Sequence, residues 1–379
     1  MKIGIVCYPT YGGSGVIATE LGKGLAKKGH QVHFITYRQP VRLSPFQENV
    51  FYHETTIPDY PLFEYTPYDS SLTSKLVDVV KYENLDLLHV HYAIPHATVG
   101  YIAKKILMEE KRYVPVITTL HGTDITLVGS DPAFSPVVSF SINKSDGVTA
   151  VSQSLKQQTI DYFQIKNHIE VIPNFIDFSR FRRKKVDHFR QVLAPNAERI
   201  LIHASNFRKV KRIEDVVYIF QKVHEKIPSK LLLVGDGPER KRIEDLCRQI
   251  DLYEEVRFLG KQDAIEDLLS LSDLFLMPSE SESFGLAALE AMACEVPVIS
   301  SNTGGLPEVN IHGKTGFLSN VGDVAEMADY ALQILSSDET LQQFKTAALH
   351  QAEQFDIQYI LPMYEQYYNH VLSNIQPVM

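Results

Sequence analysis

What this chain has little of excludes several classes of protein before any motif is read. It holds only three cysteines, Cys7, Cys247 and Cys294, far apart and in no C-x-x-C or Cys/His ligand spacing. That argues against a disulfide scaffold or a structural zinc and fits a reducing cytosol. No apolar run approaches the roughly 18–20 residues that would span a bilayer. The opening residues, MKIGIVCYPTYGGSG, are broken by glycines too early for a secretory signal, so a cytoplasmic protein without membrane insertion is expected. No tandem repeat marks a solenoid or propeller. A surplus of positive charge is missing too. With 37 basic against 46 acidic residues the formal net charge is −9, which gives no general attraction to nucleic acid.

What is present is a globular composition, 44% apolar and 22% charged, over 379 residues. At about 100–200 residues per domain that length implies two or three domains. Short β-branched runs alternate with helix-period segments. Ile3–Cys7, Val32–Thr36, Leu87–Val90, Val116–Leu120 and Gly147–Val151 read as strands, with helices over Ile17–Lys28, Leu72–Tyr82 and Ala97–Glu109 between them. The pattern restarts with strands Ile200–Ala204, Lys230–Val234, Val256–Leu259, Leu274–Met277 and Val296–Ser300. Helices Ile213–Ile227, Pro238–Ile250, Ala264–Leu271, Phe284–Cys294 and Val324–Leu335 accompany them. Near-continuous apolar strands separated by helices are the mark of parallel sheets covered on both faces. The fold class expected is therefore α/β, two Rossmann-like domains facing a central cleft. The boundaries expected are 1–168, 169–356 and a last helical segment, 357–379, packing back on the first domain. Pro362 within that segment predicts a kink or break.

Five groups of residues carry chemistry. Gly12-Gly13-Ser14-Gly15 joins the first strand to the first helix, where glycines let an anion approach backbone amides. It lacks the G-x-G-x-x-G spacing of a dinucleotide fingerprint, and no acidic residue closes the next strand. Spacing leaves a bare turn and an anion cradle equally open. Glu282-Ser-Phe-Gly-Leu-Ala-Ala-Leu-Glu290 places Glu282 in a loop and Glu290 inside the following helix. The amides of Phe284, Gly285 and Leu286 between them could hold phosphate; two ordinary surface glutamates would show the same spacing. Ser205 to Arg212 crowds Arg208, Lys209, Lys211 and Arg212 behind a strand, enough charge for a diphosphate or a solvated basic loop. The second basic stretch, Arg180 to Arg190, reads as a solvated loop.

His89-Val-His91-Tyr92 and His121-Gly-Thr-Asp124 end adjacent strands. A metal pair at His89 and His91 lacks an evident third ligand, and no Asp-x-Asp occurs in the chain, so hydrogen bonding to substrate is favoured over metal chemistry. Gly235-Asp-Gly-Pro-Glu239 and Thr303-Gly304-Gly305 leave strands as turns, the second beside the proposed phosphate amides.

Taken in order over nearly the whole chain, these motifs resemble retaining glycosyltransferases of family 4 with the GT-B fold. The E-x7-E element, Pro173-Asn-Phe-Ile-Asp177, Val234-Gly-Asp-Gly-Pro-Glu239 and His312-Gly-Lys-Thr-Gly-Phe-Leu318 carry that likeness. CYPTYGGSGVIATELG, LLHVHYAIPHA, TTLHGTDIT and ASNFRKVKR narrow it to the members that glycosylate L-malate in bacillithiol biosynthesis. The resemblance implies UDP-N-acetylglucosamine as donor, L-malate as acceptor, no resident cofactor or metal, and is compatible with a homo-oligomer. It implies catalytic roles for His121, Glu282, Arg208 and Lys211. Donor contacts would come from Gly13, Ser14, Gly15, Asn206, Gln262, Phe284, Gly285, Leu286 and Glu290, and acceptor contacts from Ser14, Tyr92 and Thr119. One departure stands out: five positions before Lys211, where many relatives have arginine, this chain has Asn206, with the arginine displaced to Arg208. Another small acceptor such as an inositol phosphate, a UDP-sugar 2-epimerase on the same fold, and a nucleotide-sugar sensor are the competing expectations.

Overall fold

A computed structural model of the chain describes all residues except 11, 44–45, 57–66, 130, 186 and 375–379. The first part runs β1 (Lys2–Val6), α1 (Gly13–Lys27), β2 (Gln31–Thr36), β3 (Val50–Glu54), α2 (Tyr68–Glu83) and β4 (Leu87–His91). It continues with α3 (Thr98–Glu109), β5 (Val116–Leu120), α4 (Ser135–Lys144), β6 (Gly147–Ala150), α5 (Gln153–Tyr162) and β7 (Ile169–Val171). Its seven strands form one sheet in the order β3-β2-β1-β4-β5-β6-β7, every pair parallel.

The second part runs α6 (Asp187–Leu193), β8 (Arg199–Ala204), α7 (Ile213–His224), β9 (Ser229–Val234), α8 (Arg240–Gln249) and β10 (Val256–Gly260). There follow α9 (Ile265–Leu271), β11 (Leu274–Met277), α10 (Leu286–Ala293), β12 (Val298–Ser301), α11 (Leu306–Val309), β13 (Gly316–Ser319), α12 (Val324–Leu335) and α13 (Asp338–Glu353). Its sheet, also parallel, is ordered β10-β9-β8-β11-β12-β13. The last helix, α14 (Ile357–Ser373), clusters with the first part, so the two units are 1–174 with 357–379, and 175–356.

The central strands are buried on both faces because helices cover them, and their few polar residues, among them His89, His91, Thr118 and Thr119, are buried with the rest. β4 and β5 are buried at every position, and so is β11. The unit break falls after Asn174 rather than at 168/169. The reason is β7, whose three residues pair with β6 and so keep the chain in the first sheet through Val171. α14 is held to the first unit by Tyr364 and Tyr368, both fully buried, and by Tyr367, whose hydroxyl bonds the Val148 backbone on both its N–H (2.8 Å) and its carbonyl (3.1 Å). Pro362 lies inside this helix and does not end it.

The basic stretch 180–190 is not a solvated loop. Arg180 pairs with Glu266 (3.4 Å), Lys184 with Asp267 (2.7 Å) and Arg190 with Asp273 (2.7 Å), strapping α6 and the chain before it to α9 and the loop after it. The centre of that strap is Asp273, whose side chain is 4% exposed. It also meets Lys345 at 3.3 Å and accepts the Ile200 N–H at 3.0 Å. Burial works to raise its pKa, but Arg190, Lys345 and the donated hydrogen bonds outweigh it and hold the carboxyl below the usual value.

Asp273→Ala strands the buried Lys345 ammonium and is expected to cost about 3–5 kcal/mol, read as a lower urea midpoint. A carboxylate with a depressed folded pKa contributes its stability above the unfolded value of about 4 and loses it as pH falls through the folded one. The gap between parent and variant should therefore be full at neutral pH and close in acid. Equal midpoints at neutral pH would contradict this account.

Candidate functional site

In an open parallel sheet the helices after two neighbouring central strands leave on opposite faces, which opens a crevice at the carboxyl ends of those strands. The strand orders put this point between β1 and β4 in the first unit and between β8 and β11 in the second. Most of the residues singled out by sequence gather at these two points; Gln262, past the edge strand β10, stands apart in the strand order.

In the first unit Ser14, in the opening turn of α1, donates a hydrogen bond to the Tyr92 hydroxyl at 2.8 Å, joining the loops after β1 and β4. Gly15 lets this turn close: a Cβ there would lie 2.3 Å from the Tyr8 carbonyl oxygen. Gly13 opens the helix, and neither it nor its neighbours has an intrahelical acceptor for its amide. Tyr92 sits at φ +88°, strained for a bulky residue, and its N–H bonds the Thr119 carbonyl at 2.9 Å. Asp124 accepts the N–H groups of Ala93 (2.8 Å), Gly122 (2.9 Å) and His121 (3.2 Å), so one buried carboxylate fixes the loops after β4 and β5 together. Burial raises its pKa to about 6, against the pull of those three donors.

His121 is half-buried and lies against Tyr92, with ring centroids 5.3 Å apart. Its Nε2 faces Nδ1 of the fully buried His91 at 2.8 Å, a contact that holds one shared proton. Desolvation takes the His121 pKa down to about 3, with the charge of His96 adding to the effect. The ring is neutral at physiological pH, a hydrogen-bond donor and not a cation. Thr119 does not reach the surface. It is fully buried, its hydroxyl shared between His89 Nε2 and Thr149, so it acts on Tyr92 and His89 and not directly on a ligand. His89 is equally enclosed, its second nitrogen bonded to Tyr368 at 2.7 Å, which leaves the His89/His91 pair unsuited to a shared metal.

In the second unit Lys211 Nζ meets Glu282 Oε1 at 2.5 Å, across the loops that follow β8 and β11. Ser279 donates to the same carboxylate oxygen at 2.9 Å, and Glu280 N–H bonds the Val210 carbonyl at 2.8 Å. Behind this pair Gly304 approaches so closely that a Cβ would stand 1.8 Å from the Glu282 carbonyl oxygen, at φ +54°. Phe284 is buried edge-on to Phe355, Gly285 precedes α10, and Leu286 begins it, so amides at this helix start face no intrahelical acceptor. Glu290 lies one turn in and is 9% exposed.

Asn206 and Arg208 are exposed on either side of Phe207, which is fully buried and anchors the loop. Among the described residues Arg208 has no ion-pair partner. Gln262, exposed just past the edge strand β10, donates to the Leu259 carbonyl at 2.6 Å. Sequence reasoning missed Ser279 and His203, and it quoted Asp124 within a motif without giving it a role. His203 Nδ1 donates to the Leu276 carbonyl at 2.8 Å, which leaves Nε2 to accept from the Ser205 hydroxyl at 2.8 Å. Ser205 thereby keeps lone pairs for other donors. A polar residue within an apolar strand was the signal for His203.

Several buried imidazoles couple this architecture to acid. His89 is pushed down to about 3 by burial and then by His121, and His96 to about 4 by burial. A histidine whose folded pKa is lowered binds fewer protons than its unfolded form, so its contribution is full above about 6.5 and is lost as pH falls below that value. His89→Gln retains a donor and an acceptor but cannot titrate. Its denaturation midpoint should fall less between about pH 7 and about pH 5 than that of the parent; parallel curves would remove His89 from the acid response.

Two family models match the chain: Glycosyltransferase Family 4 over residues 11–180 and Glycosyl transferases group 1 over residues 184–351. The N-acetyl-alpha-D-glucosaminyl L-malate synthase of Bacillus anthracis is 48% identical over 376 residues, 99% of this chain and 98% of that one. Among solved structures, sucrose-phosphate synthase from Thermosynechococcus elongatus superposes with a TM-score of 0.82 at 21% identity, covering 99% of this chain and all of that one. Anabaena HepE in complex with UDP and glucose gives 0.81 at 22% identity, with the same coverage. These two likenesses establish the architecture as GT-B.

Proposed function

From the premise that the chain belongs to glycosyltransferase family 4, we propose that it transfers N-acetylglucosamine from UDP-N-acetylglucosamine to the hydroxyl of L-malate, with retention of configuration, as the first step of bacillithiol biosynthesis in the cytoplasm. The observation that carries the transfer is the Lys211–Glu282 pair, fixed by two loops at the switch point of the second sheet and flanked by the open amides of α10. The near-full-length identity to a relative named for malate supports the acceptor.

Cleaving the bond between the anomeric carbon and phosphate leaves negative charge on UDP and oxocarbenium character on the sugar. Lys211, Arg208 and the amides from Phe284 to Leu286 would stabilise the leaving diphosphate, and positions fixed before reaction cost no reorganisation. This reading needs no metal. Glu282 already shares its carboxylate with Lys211 and Ser279, which suits a partner for sugar hydroxyls better than an attacking nucleophile. The malate hydroxyl would then form the new bond on the face that UDP leaves, a phosphate oxygen taking its proton. Glu290 would accept from the ribose, Gln262 would bond the uracil, and neutral His121 would donate to the sugar. Ser14 and Tyr92 would contact malate, held in place by Thr119.

Incubation with UDP-N-acetylglucosamine should release UDP and form a glycosylated product only when L-malate is added. Release that malate leaves unchanged overturns the acceptor, and formation of UDP-N-acetylmannosamine selects a 2-epimerase. Lys211→Met is expected to lower kcat/KM by about 10²–10³-fold, the scale of losing one preorganised transition-state contact. Glu290→Ala should instead raise the donor KM by about tenfold or more with a smaller change in kcat. Unaltered donor KM in that variant would remove the ribose assignment.

A further inference from the structure

His33 on β2, His53 on β3 and Glu83, the last residue of α2, take no part in the proposed transfer. The parallel register pairs His33 with Phe51 and Ile35 with His53, which puts both imidazoles on one face of the sheet. α2 packs against β2, and its end brings Glu83 to the same place. One ligand atom from each of the three residues lies within 4.8 Å of the others, the single such grouping of three among the described residues. We propose that these three side chains form a binding site for one divalent transition-metal ion of the zinc class, clipping the edge strand β3 and the end of α2 to β2. The proposal is independent of the transferase reading.

Three observations support it. His33 Nδ1 lies 2.9 Å from His53 Nε2, close to the roughly 3.3 Å that separates two nitrogens on a tetrahedral ion with 2.0–2.1 Å bonds. His33 is 1% exposed and its Nε2 has no partner. Its tautomer is therefore locked by nothing except His53, and the ring proton can move to Nε2 with no other hydrogen bond lost when an ion takes the Nδ1 lone pair. Finally, Glu83 ends α2 just before Asn84, a left-handed cap, where the partial negative charge of the helix terminus favours a cation.

Two nitrogens and one carboxylate suit zinc, cobalt, nickel or copper and not calcium or magnesium, which prefer oxygen. Three protein ligands leave a position for water. Phe51 stacks on His33 with ring centroids 4.6 Å apart and covers that side of the ring. Lys2, which donates to the Glu83 carbonyl at 2.9 Å, and Lys75, whose charge acts on His53, both oppose a cation. The affinity is accordingly that of a clip and not of a zinc finger.

The full chain, stripped with chelator and dialysed, should be titrated with Co²⁺ in the absence of malate. One equivalent is expected to bind with a visible d–d absorption, be displaced by Zn²⁺ and raise the melting temperature. His53→Ala and Glu83→Gln, both at partly exposed positions, should each weaken binding by about tenfold or more while leaving UDP release as in the parent. Should His53→Ala fail to fold, Glu83→Gln decides alone. Absence of saturable one-to-one binding, affinity unmoved by these substitutions, or binding lost in His121→Ala but kept in His53→Ala would each overturn the site.

Discussion

Parallel strand pairing constrains everything else in this protein. Each connection must cross a sheet face to return to the same end, so helices bury both faces and only the strand ends remain open to solvent and ligand. Direction of crossover reverses once in each sheet, between β1 and β4 and between β8 and β11. There the backbone has nowhere to lie flat. The tight contacts follow: Gly15 against the Tyr8 carbonyl, Gly304 against that of Glu282, and Tyr92 held at φ +88°. Those contacts present side chains from different strands to the same small volume within each unit.

Charge is handled differently in the two units. In the second, Lys211 and Glu282 neutralise one another at 2.5 Å while remaining partly accessible, so a ligand's diphosphate and hydroxyls can compete for each. In the first, the polar groups are imidazoles driven neutral by burial, tied to one another, to Thr119 and to Tyr368. Asp124 is the exception, a buried carboxyl whose three backbone donors set the positions of Ala93, His121 and Gly122. The net charge of −9 therefore says little about the local field, since Arg208 stands exposed and Lys211 is matched by one carboxylate.

The central strands of both sheets were legible because their apolar runs, broken by few polar residues such as His89, His91 and His203, are long enough to read. The strands that were missed, β3, β7 and β13, all stand at sheet edges. Val50–Glu54 shows no buried residue and no hydrophobic run to read, while β7 and β13, three and four residues long, are too short to show a pattern. Polar α5, which starts at a Ser152 cap, and α13 were missed for the same reason, since each offers a narrow apolar stripe. At the candidate site the E-x7-E spacing placed Glu282 before α10 and Glu290 within it, as found. The resemblance put Thr119 among the acceptor contacts, but its side chain is enclosed, because β5 is central and covered by neighbours on both sides.

By itself the sequence determined that this is an acidic α/β chain of two parallel sheets, and its ordered motifs marked it as a family 4 glycosyltransferase. Local patterning suffices for that, because burial and turn chemistry act within a few residues. Only the tertiary structure decided which residues meet. Lys211 and Glu282 are 71 positions apart, Ser14 and Tyr92 are 78 apart, and His89 and Tyr368 are 279 apart. No spacing rule links such pairs, since the order in which strands enter a sheet is a property of the whole packed core.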